Sequence, residues 1–186
     1  MILATQGSVE DLDWLVAKAH GDLQNSTPVL SAMQESASIR ELKPRNPNLY
    51  SLLTSAVTNG TAAQQIHALH LIGYWQLLDL RELVITVIFN TRTSPEVRIA
   101  ALRSTSHFPK IAEDRIDDLS KLTTLPGDIR IRHAALDALT AMNVGRAAQI
   151  AAEALIAAGP SDPLEPYLIP FLTRSDGALA LSSSLQ

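Results

Sequence analysis

The chain has 186 residues, of which 46% are hydrophobic and 18% are charged, and its formal net charge is −4. This balance excludes wholesale disorder and is typical of a globular chain that buries a core. The absence of cysteine excludes a disulfide framework, a thiolate zinc site and a cysteine nucleophile. The longest apolar stretch, Ile150 to Ala158, is far shorter than the roughly 20 residues that a membrane-spanning helix needs. We therefore expect a soluble chain with no membrane insertion of this segment.

Helix starts recur along the whole chain as a capping residue followed by proline. Proline lacks an N–H group, and the first helical turn has no partner for one, so proline suits that position. Ser8 adds a start with an acid at the third helical position, Asp11. Four pairs predict further helix N-termini: Thr27-Pro28, Asn46-Pro47, Ser94-Pro95 and Asp162-Pro163. Four glycine-containing positions predict left-handed caps or breaks: Gly21, Asn59-Gly60, Pro126-Gly127 and Gly159-Pro160.

Apolar residues at helical spacing follow these starts and predict helices of 10 to 15 residues each. In chain order, the predicted helices include Val9–Ala19, Thr27–Ile39, Asn46–Val57, Leu77–Asn90, Lys110–Leu122 and Val144–Ala158. Leu83–Phe89 has the β-branched density of a buried strand. We predict a helix there as well, because a lone strand would leave its backbone groups unpaired in an apolar setting.

The remaining helices carry an internal repeat, which is the strongest fold signal in the sequence. An Ala-Leu pair recurs at spacings of 33 and 34 residues, as Ala68-Leu69, Ala101-Leu102 and Ala135-Leu136. Each pair lies in a helix of about 12 to 14 residues that is followed by one of the helices above, so each predicted repeat is a helical hairpin. We expect the alanines to allow close helix approach and the leucines to fill the layer between hairpins.

The repeated segments resemble the first helix of HEAT-type repeats of the short, bilin-lyase-like variety. Val97-Arg98-x-Ala100-Ala101-Leu102 and Ile131-Arg132-x-Ala134-Ala135-Leu136 carry this resemblance. It implies an all-α fold: a right-handed α-solenoid of about five stacked antiparallel hairpins. It also implies scaffold roles for Arg98 and Arg132, whose guanidinium groups would bond to helix-terminal carbonyls or a nearby acid. In the first regular repeat, Gln65 stands at the arginine position.

The predicted solenoid is a single domain with three parts. Residues 1–60 form degenerate N-terminal repeats, residues 61–160 form regular repeats, and residues 161–186 form a C-terminal cap. In the cap, bulky residues are expected to cover the exposed edge of the last hairpin: Tyr167, Leu168, Phe171 and Leu172.

A narrower resemblance involves Gln65–Gly73, the Pro95 repeat and Phe171–Leu181. These stretches look like the HEAT segment of large exported bacterial proteins, where it lies between a sugar-dehydrogenase-like propeller and a c-type cytochrome domain. The resemblance implies a fragment of a larger, exported or periplasmic protein; without it the compartment is open. A chain without cysteine cannot carry a Cys-x-x-Cys-His haem attachment site, so no redox role is implied for these residues.

Histidines are the only candidates for a metal site. His67 and His70 lie three residues apart on one predicted helix, and Asp79 or Glu82 could supply a third ligand. Solvated or packing histidines are the favoured interpretation. His107 beside Ser106 has no acid at a spacing that would complete a nucleophilic triad. We therefore predict no catalytic residue, no cofactor and no enzyme activity.

Acidic residues mark the candidate interaction face. Asp114, Asp117 and Asp118 share one side of a predicted second helix, where a cation or a basic partner could bind. The net negative charge argues against nucleic-acid binding, and no basic face of the kind that HEAT-like DNA glycosylases need is visible. The sequence favours a scaffold whose second helices bind another protein or a neighbouring domain of the same polypeptide. Two alternatives are a structural spacer and an enzyme on the same repeats, either bilin lyase-like or metal-dependent hydroxylase-like.

Overall fold

The protein is all-helical over the residues that its structure describes. The computed structural model covers residues 6–40, 42–108, 113–124, 127–159 and 163–186, with the side chains of Glu113 and Asp114 excepted. No β-strand occurs within these ranges, so the all-α prediction is confirmed. The segment with the β-branched density, Leu83–Phe89, lies in a helix, as predicted.

Contacts divide the chain into two compact units, Met1–Phe108 and Pro109–Gln186. Within its described residues, unit 1 contains a 3-10 turn, Leu78–Leu80, and these helices: α1 (Val9–Gly21), α2 (Thr27–Ile39), α3 (Leu49–Asn59), α4 (Ala62–Tyr74), α5 (Arg81–Phe89) and α6 (Pro95–Thr105). The described part of unit 2 contains five: α7 (Glu113–Thr124), α8 (Ile129–Met142), α9 (Val144–Ala157), α10 (Glu165–Leu172) and α11 (Gly177–Ser184).

Two of the predicted helix starts have the predicted caps. Ser8 and Asp11 form a capping box in which each side chain bonds to the other residue's backbone N–H. Ser94 caps α6 by accepting a bond from the N–H of Val97, with Pro95 in the first turn. These caps supply partners to backbone amides that the helix itself leaves free.

Other predicted boundaries agree with the structure only in part. Helix α2 has the predicted range, Thr27–Ile39, although Ser26 and not Thr27 is the residue that precedes it, and α3 begins at Leu49, three residues after Asn46. Asn46 still makes a cap-type bond just ahead of α3, since its Oδ1 accepts from the N–H of Asn48 at 2.9 Å, while its backbone and side-chain N–H groups donate to Asp13 of α1 at 2.7 and 2.9 Å. Two predicted stops occur as helix ends without the left-handed conformation, since α1 ends at Gly21 and α3 ends at Asn59, with Gly60 as its C-cap at a negative φ. Gly127 has a positive φ, whereas Pro126, Pro160 and Asp162 lie outside the described residues.

Unit 1 contains a row of helices at the repeat spacing. Helix α4 packs between α2 and α6, and polar bonds hold its side chains in register with the chain 33 residues earlier. His67 Nδ1 lies 2.6 Å from Gln34 Oε1, and Trp75 Nε1 donates to the carbonyl of Leu42 at 3.0 Å. Both bonds join positions 33 residues apart, which is a spacing at which the Ala-Leu pair recurs in the sequence.

The helices pair differently from the prediction. We expected α4 to form a hairpin with the helix that follows it, but α5 packs chiefly on α6, and α4 packs on the preceding helix, α3. Helix α4 already has α2, α3 and α6 as neighbours, so little of its surface is left for α5. After α4 the chain turns at Gln76, whose φ is +48°, and Leu77 enters the core before α5 begins.

The predicted core positions are buried in both units. In unit 2, α8 packs on α7 and α9, while α10 packs on α8 and α11 on α9. All six residues of the repeated Ala-Leu pairs are at most 1% exposed: Ala68, Leu69, Ala101, Leu102, Ala135 and Leu136. Burial of these side chains stabilises each unit by removing apolar surface from water.

One side chain per repeat bridges a helix to the end of the preceding helix in unit 1. Arg98 Nε donates to the carbonyl of Ile88 at 2.7 Å, and Gln65 Nε2 donates to the carbonyl of Val57 at 2.9 Å. Gln65 thus makes the bond expected of arginine at its repeat position. In unit 2, Arg132 Nε is buried and makes no hydrogen bond with a described residue.

Replacing Arg98 tests this bridge. We expect Arg98→Ala to lower the free energy of unfolding of unit 1 by about 1–3 kcal/mol, because a charge-assisted bond and a packed side-chain stem are both lost. Arg98→Gln should recover part of that loss, since Gln65 makes the same kind of bond. Urea unfolding followed by tryptophan fluorescence measures the change. Equal losses for the two variants would show that the carbonyl bond contributes nothing.

Candidate interaction surfaces

The two candidate metal ligands of α4 have separate partners. His67 contacts Gln34 of α2, whereas the ring of His70 stacks on Tyr74 with 6.1 Å between ring centroids. Across the parts of the chain that the structure describes, no group of three or more histidine and acidic side chains is placed to hold a metal ion. Asp79 and Glu82, the third ligands considered from the sequence, are exposed.

A cluster of aromatic and titratable side chains lies where α4 and α6 meet. Tyr74 contacts His70 on one side, and its ring packs edge-on against His107, just after α6, at 4.9 Å. Arg103 lies close enough to His70 for its charge to affect that imidazole. We call His67, His70, Tyr74, Arg103 and His107 the histidine face.

The protonation of this face follows from its burial and its charges. Burial lowers the pKa of His70 below its ordinary value, and the charges of Arg103, His67 and His107 lower the pKa further. Burial also lowers the pKa of His67 and of His107. The three imidazoles are consequently held mainly in the neutral form near pH 7.

A groove of about 500 Å³ adjoins the histidine face and shares Tyr74 with it. We call it the unit 1 groove; its lining residues are Ala37, Ser38, Ile39, Arg40, Lys43, Tyr74, Trp75 and Gln76. Trp75 is buried and fixed by its bond to Leu42, while Ile39 is 78% exposed. Lys43 is exposed, with Nζ 5.9 Å from the ring centroid of Tyr50. The groove is therefore lined by two aromatic residues, an exposed apolar side chain and cations.

A second groove, of about 450 Å³, lies between α7 and α9 in unit 2. We call it the unit 2 groove; it is lined by Asp117, Ser120, Lys121, Thr124, Arg146, Ile150 and Glu153. Acidic and basic side chains both line it, in contrast to the unit 1 groove. Both helices belong to the set predicted from the sequence to bind a partner.

The acidic candidates of α7 have different environments. Asp117 is exposed and lines the unit 2 groove. The negative charge of Asp118 is paired within its own helix. Lys121 Nζ lies 3.0 Å from one of its carboxylate oxygens, and the guanidinium of Arg115 lies 3.8 Å from the other. The side chain of Asp114 lies outside the described residues. Asp117 is therefore the member of the predicted acidic face that the structure places at a groove.

Sequence reasoning missed the histidine face as a group. In the sequence, His67 and His70 form a candidate metal pair. His107 is isolated there, because no local pattern joins it to Tyr74. One indication was present: a shift of 33 residues, the spacing of the Ala-Leu pairs, aligns His70 with Arg103. Trp14, on α1, is 54% exposed and has Lys18 Nζ 5.1 Å from its ring centroid.

The lowered pKa values predict a weaker fold in mild acid. At pH values below about 6.5, the ordinary pKa of histidine, these side chains bind protons in the unfolded chain. In the folded chain, His67, His70 and His107 bind them only at lower pH, because their pKa values are lowered. The free energy of unfolding should therefore decrease as the pH falls through about 6.5 toward about 5.5. His133 adds to this, because burial and Arg132 lower its pKa.

Thermal unfolding of the protein at about pH 7.5 and about pH 5.5 measures this effect above the range of most carboxylates. His70→Phe keeps a ring against Tyr74 but cannot be protonated, so its melting temperature should fall less on acidification. An equal fall in wild type and variant would contradict a contribution from His70.

No described helix combines the length and the apolar character that spanning a membrane requires. Comparisons with protein-family models, with curated proteins and with solved structures found no match to this chain.

Proposed function

We propose that the chain is a non-catalytic interaction scaffold built from HEAT-like repeats, which binds another protein or a neighbouring domain of the same polypeptide. Stacked repeats provide extended surfaces on which partners bind. The register bonds between Gln34 and His67 and between Leu42 and Trp75 support the repeat interpretation, because both join positions 33 residues apart.

The observation that carries the proposal is the unit 2 groove. It lies between two second helices and exposes Asp117 from the acidic face, together with Arg146 and Glu153. Ile150 forms a mostly buried apolar element among these charges. Charges of both signs around an apolar centre are typical of protein interfaces, where polar rims give specificity and apolar centres give affinity.

Site-specific photo-crosslinking tests the proposal. A photoreactive amino acid at Thr124, which is exposed in the groove, should give a discrete adduct with a partner in the native host. The same amino acid at Ala141, exposed on α8 and not among the groove-lining residues, is the matched control. Adding Asp117→Lys should abolish the adduct from Thr124.

The outcomes separate a scaffold from a spacer. A discrete adduct from Thr124 alone, lost with Asp117→Lys, supports partner binding in the groove. No adduct from Thr124, or the same adducts from Ala141, would overturn it.

A further inference from the structure

Unit 1 carries a surface of different chemistry from the unit 2 groove. We propose that the unit 1 groove and the adjoining histidine face together bind an acidic linear peptide of a partner protein, with one bulky apolar side chain of that peptide seated in the groove. The inference rests on the proposed scaffold function but uses other residues, in the other unit.

Charge is the first argument. The chain is negative overall, yet this surface carries Lys43 and Arg103, which are exposed and form no ion pair with a described residue. The same surface carries three imidazoles, those of His67, His70 and His107. Among the described residues of the groove and the face there is no carboxylate. An acidic segment would therefore meet complementary charge along the surface.

The shape of the groove is the second argument. A volume of about 500 Å³ is within the range of pockets that hold one compact group. Two of its lining residues are aromatic, Tyr74 and Trp75, and the indole N–H of Trp75 is already bonded to the carbonyl of Leu42. Ile39 is 78% exposed beside it. A bulky apolar side chain would cover Ile39 and pack on the two rings.

The number of cations favours a peptide over nucleic acid. Arg40, Lys43 and Arg103 are the arginine and lysine side chains of this surface, and Arg40 already donates to the carbonyl of Gly7 at 2.7 Å. Nucleic-acid binding at physiological salt typically uses about 6–10 phosphate contacts. A short acidic peptide needs only a few charge contacts, because an apolar anchor supplies the rest of the affinity.

Proton uptake should accompany binding. The charged groups that act on His70 are Arg103 and His107 from the α6 side and His67 on its own helix, while α2 contributes the neutral Gln34 beside His67. All of these charges are cationic, and they lower the pKa of His70 in the free protein. Bound carboxylates would place negative charge beside these cations and so raise the pKa of the His70 imidazole. Binding should therefore tighten as the pH falls from about 7.5 to about 6.

Fluorescence anisotropy of a labelled heptapeptide, Asp-Glu-Asp-Phe-Asp-Glu-Asp, tests the proposal on the full chain. We expect saturable binding to the wild type, several-fold tighter at about pH 6 than at about pH 7.5. Lys43→Glu should weaken binding about tenfold. Lys18→Glu, an identical charge change at an exposed lysine outside the surface, should leave the dissociation constant within about twofold. His70→Phe should bind with less pH dependence than the wild type.

Further probes distinguish the other occupants. A peptide with serine in place of phenylalanine should bind more weakly, and a single-stranded oligonucleotide of equal charge should bind less tightly than the acidic peptide. Unchanged binding in Lys43→Glu, or equal losses in Lys43→Glu and Lys18→Glu, would overturn the proposal. Tighter binding of the oligonucleotide than of the peptide would also overturn it. So would sedimentation experiments in which the protein self-associates and thereby releases the bound peptide. Because crosslinking from Thr124 reports on unit 2 alone, the two proposals can fail separately.

Discussion

Phe171→Ala should lower the free energy of unfolding of unit 2 by about 3–5 kcal/mol. Phe171 is completely buried in α10, which packs on α8 and α11. Truncating its ring removes apolar contacts and leaves a cavity that the surrounding helices only partly fill. Backbone atoms of Phe171 also lie against Gly177, so this residue joins α10 to α11.

The neighbouring residue provides a matched control. Leu172 is 70% exposed, so Leu172→Ala should change the free energy of unfolding by no more than about 0.5 kcal/mol. Circular dichroism during urea unfolding measures stability, and hydrogen exchange of α8–α11 amides assigns the change to unit 2. Similar effects of the two variants would show that Phe171 does not fill the core as described.

Gly73→Ala should destabilise unit 1, although alanine is the better helix former. A Cβ at position 73 would lie 2.9 Å from Cα, Cβ and O of Ser104, and two of those atoms belong to the backbone. The overlap is relieved only if α4 and α6 move apart, which we expect to lower the free energy of unfolding by about 1–3 kcal/mol. The gain of about 1 kcal/mol in helix propensity offsets only part of this.

Gly145→Ala is the control, because it makes the same chemical change in a helix where there is room. A Cβ at position 145 meets only Asn143 Oδ1, at an ordinary contact distance of 3.7 Å. This variant should be as stable as the wild type or more stable, by up to about 1 kcal/mol. Tryptophan fluorescence reports urea unfolding of unit 1, since Trp14 and Trp75 both lie there; circular dichroism reports Gly145→Ala. Stabilisation by Gly73→Ala would contradict the close contact between α4 and α6.

The features that could be predicted are those set by local chemistry. The capping pattern at Ser8 and Ser94 predicted two helix starts, because the cap and the amides that it satisfies lie within one turn. The repeated Ala-Leu pairs predicted buried positions, because small and apolar residues that recur at the same place every 33 or 34 residues are typical of a helix face that packs in the core. Leu83–Phe89 was predicted as a helix because no second strand was available to pair with it.

The remaining features depend on contacts between distant segments. A hydrophobic pattern indicates that one face of α5 is buried, but it does not show whether that face packs on α4 or on α6. The oxygen of Asn46 makes the local bond to Asn48 that its sequence position predicts, but its N–H groups bond to Asp13 of another helix, which no local pattern shows. The histidine face likewise needs Tyr74 and His107 in contact. The right-handed superhelix, the single-domain division and the partner stay predictions.

The bonds at one-repeat spacing have a consequence for folding kinetics. In unit 1 the contacts of Gln34 with His67 and of Leu42 with Trp75 close segments of 33 residues, and the bond of Gln64 to Leu23 closes one of 41. The entropic cost of closing a loop grows only slowly with its length, so the closure of 41 residues costs little more than those of 33. Unit 1 should consequently fold with no strongly preferred first closure among these three contacts.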